Sequence, residues 1–178
     1  MMDRSSHPVT GPFRLRAAAY AGSVSLVITF AVGTLGFAFQ QPWLFPSLGP
    51  TIFIHTVSPH DAAARPWNTF VGHGVGAAAA YLSLTIFGGL HAPPAMTMGH
   101  LTMARASASA VAVALTIGGQ IPLRAGHAPA AATTLLITLG GFEADLATVG
   151  VLVIGIAVTT LLCDGGRRVL ARAGHAPQ

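Results

Sequence analysis

The sequence predicts an all-α fold: a polytopic transmembrane helical bundle with four long spans and two short broken, or half, helices. Three observations carry this. Only 8% of residues are charged and 52% are hydrophobic, where an ordinary soluble domain carries about 25% charged. The charges gather at the two ends and in connecting stretches. Between them lie uncharged runs close to the roughly 20 residues that a helix needs to cross a bilayer.

In chain order, the first span is expected over residues 17–39. Its apolar run is longer than the roughly 7–15 residues of a signal-peptide core. The second covers 69–88, the third 101–119 and the fourth 146–163. Two shorter apolar segments, 49–57 and 129–139, each reach about half of a 30 Å hydrocarbon core. A helix-breaking stretch introduces each one, Gln41-Pro42-Trp43-Leu44-Phe45-Pro46 before the first and Gln120-Ile121-Pro122 through Ala128 before the second. Pro129 suits a helix start, where no amide donor is required. Residues 1–16 and 165–178 read as cytoplasmic tails around a single transmembrane domain at 17–164.

Each tail carries three Arg, so the positive-inside tendency places both termini in the cytoplasm of a multi-pass inner (plasma) membrane protein. Four crossings result if the short segments re-enter, and six if each crosses with its extended lead. The second count places Arg65 and Arg124 inside. Long, short, long then occurs twice, with Pro46 to Thr51 echoed by Pro129 to Thr134, and six crossings would form a three-plus-three inverted repeat, a plan suited to alternating access. Small residues recur every four positions: Ala106, Ala110, Ala114 and Gly118 on the third span, Gly72, Gly76 and Ala80 on the second, and Gly155 and Thr159 on the fourth. Such stripes let helices approach closely in lipid, within one chain or between two.

Composition also excludes chemistries. All nine basic residues are Arg, and without Lys there is no P-loop and no Schiff base. The single Cys163 cannot form an internal disulfide or a thiolate zinc cluster. No nucleophile–base signature or metal-ligand spacing stands out, so no enzyme, metal or cofactor is expected. The arginines do not form a basic face with interleaved aromatics, so no nucleic-acid partner is expected. Asp61, Glu143, Asp145 and Asp164 all read as ends or loops, which leaves no carboxylate in mid-span for cation coupling.

Broken helices at membrane depth survive only where they are buried in protein or line a wet cavity. Paired broken segments in two halves point to a transport site. Two helix starts with free amides and positive dipole ends would attract an anion. Ser47 and Gly49 would present amides. Thr51, Thr133 and Thr134 would offer hydroxyls, or bond back to their own helices. Pro129 and Ala130 open the second short helix. His127 would donate to an anion or take up a proton, or cap a carbonyl. His73 is an ionisable group within a span, and His55 could bond to backbone. Asn68 serves as a ligand or a plain N-cap, and Arg105 as an anion partner or a snorkelling side chain. Trp43 and Trp67 read as interface anchors.

Ser47-Leu48-Gly49-Pro50-Thr51, Ser58-Pro59, Asn68-Thr69, Gly72-His73, Met98-Gly99-His100, Ala104-Arg105 and His127-Ala128-Pro129 through Leu135 together resemble the HPP family of small integral membrane proteins. The likeness runs from about residue 17 to residue 163. The family's His-Pro-Pro reads His127-Ala128-Pro129 here. The resemblance implies transport of a small inorganic anion, with nitrite suggested by plastid members. The alternative is a structural or regulatory membrane subunit. The expected partners are the anion, the lipid bilayer and, given the short chain, a second copy in a homodimer.

Overall fold

A computed structural model describes residues 12–142 and 145–172. Arg4 and Glu143 fall outside these residues, as do the side chains of Arg14, Arg16 and Arg172. Seven helices follow in order: α1 (Pro12–Ala38), α2 (Leu48–Val57), α3 (Pro66–Ile86), α4 (Ala95–Met98), α5 (Met103–Gln120), α6 (Pro129–Thr138) and α7 (Leu146–Arg172). A 3-10 turn, Ala62–Ala64, precedes α3. The described residues contain no strand.

Local chemistry sets the boundaries. Pro66 occupies the first turn of α3, so that helix begins three residues before the expected Thr69. The side chain of Asp61 accepts the Ala63 amide at 2.9 Å and closes the 3-10 turn. The Thr102 hydroxyl accepts the Arg105 amide at the start of α5. Gly99 and Gly140 adopt positive φ of 70° and 80°, which end α4 and allow the turn after α6.

Two expectations are corrected. Among the described residues three helices, not four, have the length and mean hydropathy of a span by composition alone: Ala17–Ala38, Pro66–Ile86 and Ala147–Arg168. The helix α5 has 18 residues, but Arg105, Ser107, Ser109, Thr116 and Gln120 lower its hydropathy. The last helix continues past Cys163 to Arg172, through residues assigned to a tail. Asp164 therefore lies inside α7, where Arg167 and Arg168 pair with it, the latter at 2.7 Å, at the i+3 and i+4 spacing that supports a continuing helix.

The centre of the bundle is α3, packed mainly on α5 and α6 and also on α7. Helix α1 packs on α2 and α7 and is peripheral. Only 17% of its apolar window is buried, against 44% for α3. Leu26, Phe30 and Phe37 form an outward apolar face suited to hydrocarbon.

Cross-links fix the helix directions. Ser25 on α1 bonds Thr56 at the far end of α2, so α2 runs back along α1. Thr138 at the end of α6 meets Arg105 and Ser109 at the start of α5, so these two are antiparallel. Arg167 near the end of α7 donates to the Pro59 carbonyl after α2. The segment 57–65 and the end of α7 therefore share one end of the bundle.

The small residues divide into two groups. Gly72, Gly76 and Ala80 face inward, so this stripe packs helices within one chain. A Cβ at Gly72 would lie 2.7 Å from the His127 Cβ, and one at Gly76 would lie 2.8 Å from both the Ala130 carbonyl and the Thr134 hydroxyl. These contacts set how closely α6 approaches α3. On α5 the expected stripe faces away from the core: Ala110, Ala114 and Gly118 are exposed. The buried face is Arg105, Ala108, Ser109, Ala112, Thr116 and Gln120, because α5 turns its polar side chains toward α6.

Gly76→Val is expected to force α3 and α6 apart and to destabilise the fold by about 1–3 kcal/mol. Gly74→Ala, where an added Cβ meets nothing within 4 Å, should be neutral or slightly stabilising. Thermal unfolding of the two variants in detergent compares them directly.

Candidate functional site

The first turns of α2 and α6 cross side by side, running in opposite directions. Thr133 of α6 donates its hydroxyl to Ser47 Oγ at 2.7 Å. Thr51 of α2 lies 3.2 Å from Nε2 of His127, just before α6. Between them stands His73 of α3, with Nδ1 2.7 Å from the Thr133 hydroxyl and Nε2 3.1 Å from the Thr51 hydroxyl. The two imidazoles meet edge to face with centroids 4.9 Å apart. His127 Nδ1 is 2.8 Å from the Ala63 carbonyl. Ser47, Thr51, His73 and Thr133 are wholly buried, and His127 is 1% exposed.

Local sequence explains this convergence. Gly72 has no side chain to hold His127 away, and His73 is the next residue along α3. The segment 121–128 is held from both sides. Asn68 Nδ2 donates to the Gly126 carbonyl at 3.2 Å, and the His127 amide donates to Gln120 Oε1 at 2.7 Å. Asn68 is therefore a brace across two segments rather than an N-cap. A second hydroxyl pair, Thr116 and Thr134 at 2.8 Å, joins α5 to α6 one turn further on. Ser109 donates to the Thr138 hydroxyl at 2.8 Å. A polar seam thus follows the α5–α6 contact through an otherwise apolar bundle.

The expected site is partly assembled and partly not. Ser47, Thr51, His73, His127 and Thr133 meet in one cluster. Pro129, Ala130 and Thr134 are buried in the adjoining turns of α6. Gly49 is exposed, with open space beside it.

Most of the helix-start amides are not free. The Leu48 amide bonds the Phe45 carbonyl, the Ala130 amide that of His127, and the Ala131 amide that of Ala128. Pro50 and Pro129 have no amide hydrogen. Tight turns use the donors that the broken-helix reading leaves open. The converging groups are side-chain hydroxyls and imidazoles, set where two positive helix-dipole ends point.

Arg105 lies elsewhere. It donates from Nε to Pro93 O at 2.8 Å, from one terminal nitrogen to Thr138 O at 2.7 Å and from the other to Ala92 O at 2.8 Å. It therefore closes the C-terminal end of α6, opposite the cluster. His55 bonds the Thr69 hydroxyl at 3.1 Å rather than backbone. Arg65 and Arg124 are exposed, and so are His60, His91 and His100. Trp67 is exposed, but Trp43 is buried against Phe39 and near Gly155, so it packs helices rather than anchoring an interface.

Sequence reasoning missed Gln120, Thr116, Ser109, Thr138 and the Ala63 carbonyl. The spacing Arg105, Ser109, Thr116, Gln120 marks a single polar face on α5 and was the available signal. The carbonyl had none. Among the described residues no group of three His, Cys, Asp or Glu could hold a metal ion.

Two cavities flank α6. One of about 450 Å³ is lined by Gln120, Arg124, Gly126, His127 and Ala128 at its start. The other, of about 430 Å³, is lined by His91, Pro94, Arg105, Ile137 and Gly140 at its end. The first reaches the surface, since Arg124, Gly126 and Ala128 are exposed.

Arg105→Ala is expected to cost about 1–3 kcal/mol, because the Thr138 carbonyl loses its cationic donor in a buried setting. Arg105→Lys should recover only part of this, since one ammonium cannot reproduce the planar three-way fork. Thermal melts of both variants provide the comparison.

Comparison with known proteins identifies a family. The sequence model described as HPP, transmembrane region, matches residues 10–165. No curated protein and no solved structure matches the chain. Most of the sequence is covered by that match, and the long apolar helices agree with it: the chain is a membrane protein and belongs to the HPP transmembrane family.

Proposed function

We propose that this protein transports a small inorganic anion across the membrane, with nitrite as the first substrate to test. One observation carries the reading. Five polar side chains from α2, α3, α6 and the residues just before the two short helices are buried together where those helices meet. Burying such groups away from water is costly unless they are fully partnered, and in membrane proteins they concentrate at functional positions.

The anion would be held by the hydroxyls of Ser47, Thr51 and Thr133 and by His127 and His73. The two helix dipoles would add a favourable potential. The cavity beside His127 supplies an approach, and Arg124 on its rim attracts negative solutes.

The repeated order of long, short and long helices supports an inverted repeat. Helix α1 and α2 are antiparallel, α5 and α6 are antiparallel, and the first turns of α2 and α6 oppose one another. In this reading α1, α2, α3, α5, α6 and α7 all cross, and both termini face the cytoplasm at the inner membrane. Alternating access would then rock one half against the other around the cluster. A homodimer would add lipid-facing area to a small bundle.

The second reading is a structural or regulatory subunit. The bonded helix-start amides favour it, as does the way each cluster side chain lies within hydrogen-bond distance of another group of the chain.

Uptake into proteoliposomes separates the two. Nitrite, nitrate, formate and chloride are offered to the parent protein and to His127→Ala. Transport predicts saturable flux of at least one anion and a loss of about tenfold or more in the variant. Correctly inserted parent protein with no flux above empty vesicles supports the subunit reading.

A further inference from the structure

The hydrogen bonds around Thr51 can be balanced donor by donor. Thr133 has one hydroxyl hydrogen, and it goes to Ser47 Oγ. The Thr133 oxygen must therefore accept from His73, which fixes the hydrogen of a neutral His73 on Nδ1. The Ala63 carbonyl can only accept, which fixes the hydrogen of a neutral His127 on Nδ1 as well. Both Nε2 atoms are then bare acceptors, and both face the same hydroxyl at 3.1 and 3.2 Å. Thr51 has one hydrogen to give, and the Ser47 carbonyl at 3.0 Å also competes for it. With both rings neutral, at least one buried ring nitrogen has no donor. One added proton removes the shortage. A hydrogen on His127 Nε2 donates to the Thr51 oxygen, and Thr51 donates onward to His73 Nε2.

We propose that His73, Thr51 and His127 form a proton-binding site that takes up one proton, and that this proton crosses the membrane with the anion. The second half rests on the transport reading; the first does not. The proton adds to the Nε2 lone pair of His127, giving an imidazolium with both hydrogens donated, one to Ala63 O and one to Thr51 Oγ1. Its source is water in the cavity that His127 lines. The positive ring then sits among three hydroxyls, a fitting partner for an anion in a site with no fixed positive side chain.

Other ionisable groups leave this role to the pair. From α2, His55 is engaged with Thr69. From the segment 58–65, His60, Asp61 and Arg65 are exposed. From the segment before α6, Arg124 is exposed on the cavity rim. From α5, Arg105 is tied to carbonyls at the opposite end of α6. From α7, Asp164 pairs with Arg167 and Arg168.

Imidazole nitrogen NMR of the full chain in nanodiscs, from about pH 8 to about pH 5, reads the site without any transport. The expected spectrum keeps His73 protonated on Nδ1 throughout and shows His127 gaining its second hydrogen on Nε2 in acid. Thr51→Val, which removes the acceptor of that hydrogen, should weaken proton affinity by about tenfold or more, and Thr51→Ser should restore it. Two neutral rings across the whole range would overturn the site, as would an affinity unchanged in Thr51→Val. The parent titration decides the first point even if Thr51→Val does not fold. In proteoliposomes, nitrite uptake that accelerates under an inward proton gradient and acidifies the lumen supports coupling. Nitrite flux indifferent to the gradient overturns coupling and leaves transport standing. Absent flux overturns transport and coupling together, with the NMR result still judging the proton site.

Discussion

One hydroxyl shared between two imidazoles is the constraint around which the bundle is arranged. Thr51 can satisfy only one of the ring nitrogens facing it, yet the surroundings bury both rings almost completely. Lipid offers no hydrogen bond to correct such an imbalance. The surrounding architecture therefore has two tasks: to hold the rings against Thr51, and to exclude everything else. Gly72 and Gly76 perform the first by letting α6 lie against α3. The second falls to the apolar core, with Leu48 and Ile52 buried on the same helix as Thr51.

The two short helices gain a clear meaning from this. A ten-residue helix is about 15 Å long, too short to cross a bilayer alone, and the first turns of α2 and α6 begin inside the bundle. In α2 and α6 those turns are closed by local backbone bonds and prolines. The result is a pair of helix starts whose backbone is mostly satisfied and whose side chains carry the polarity. The dipoles remain aligned toward the cluster, a modest favourable term for negative charge. Arg105 balances the other end of α6 by donating to its last carbonyl, which is the usual preference for a cation at a helix C-terminus.

Much of this was legible in the residues. Low charge and long apolar runs identify a membrane bundle, and proline-rich breaks locate α2 and α6 to within one residue at each end. Thr51, His73, His127 and Thr133 stand out because polar groups are rare there. The length of α7 was less legible, since Asp164 looks like a terminus until its two Arg partners one turn later are considered. The inward face of α5 was hidden by a regular alanine stripe that turns out to point away from the core. The free amides were misjudged because turn bonds such as Leu48 to Phe45 depend on backbone geometry that residue identity does not specify. Arg105 was misplaced because its partners are three carbonyls, and no side-chain pattern reveals a carbonyl.

In the proposed reading the buried hydroxyl–imidazole cluster holds an anion and does more than join helices. Bromide is a small anion that can be located by its anomalous scattering. A crystal structure of the full chain grown with bromide in acid should show a peak among His127 Nε2, Thr51 Oγ1 and Thr133 Oγ1, with the two short helices parted to admit it. Bromide confined to the surface, with the cluster closed and its internal bonds intact, would contradict the account.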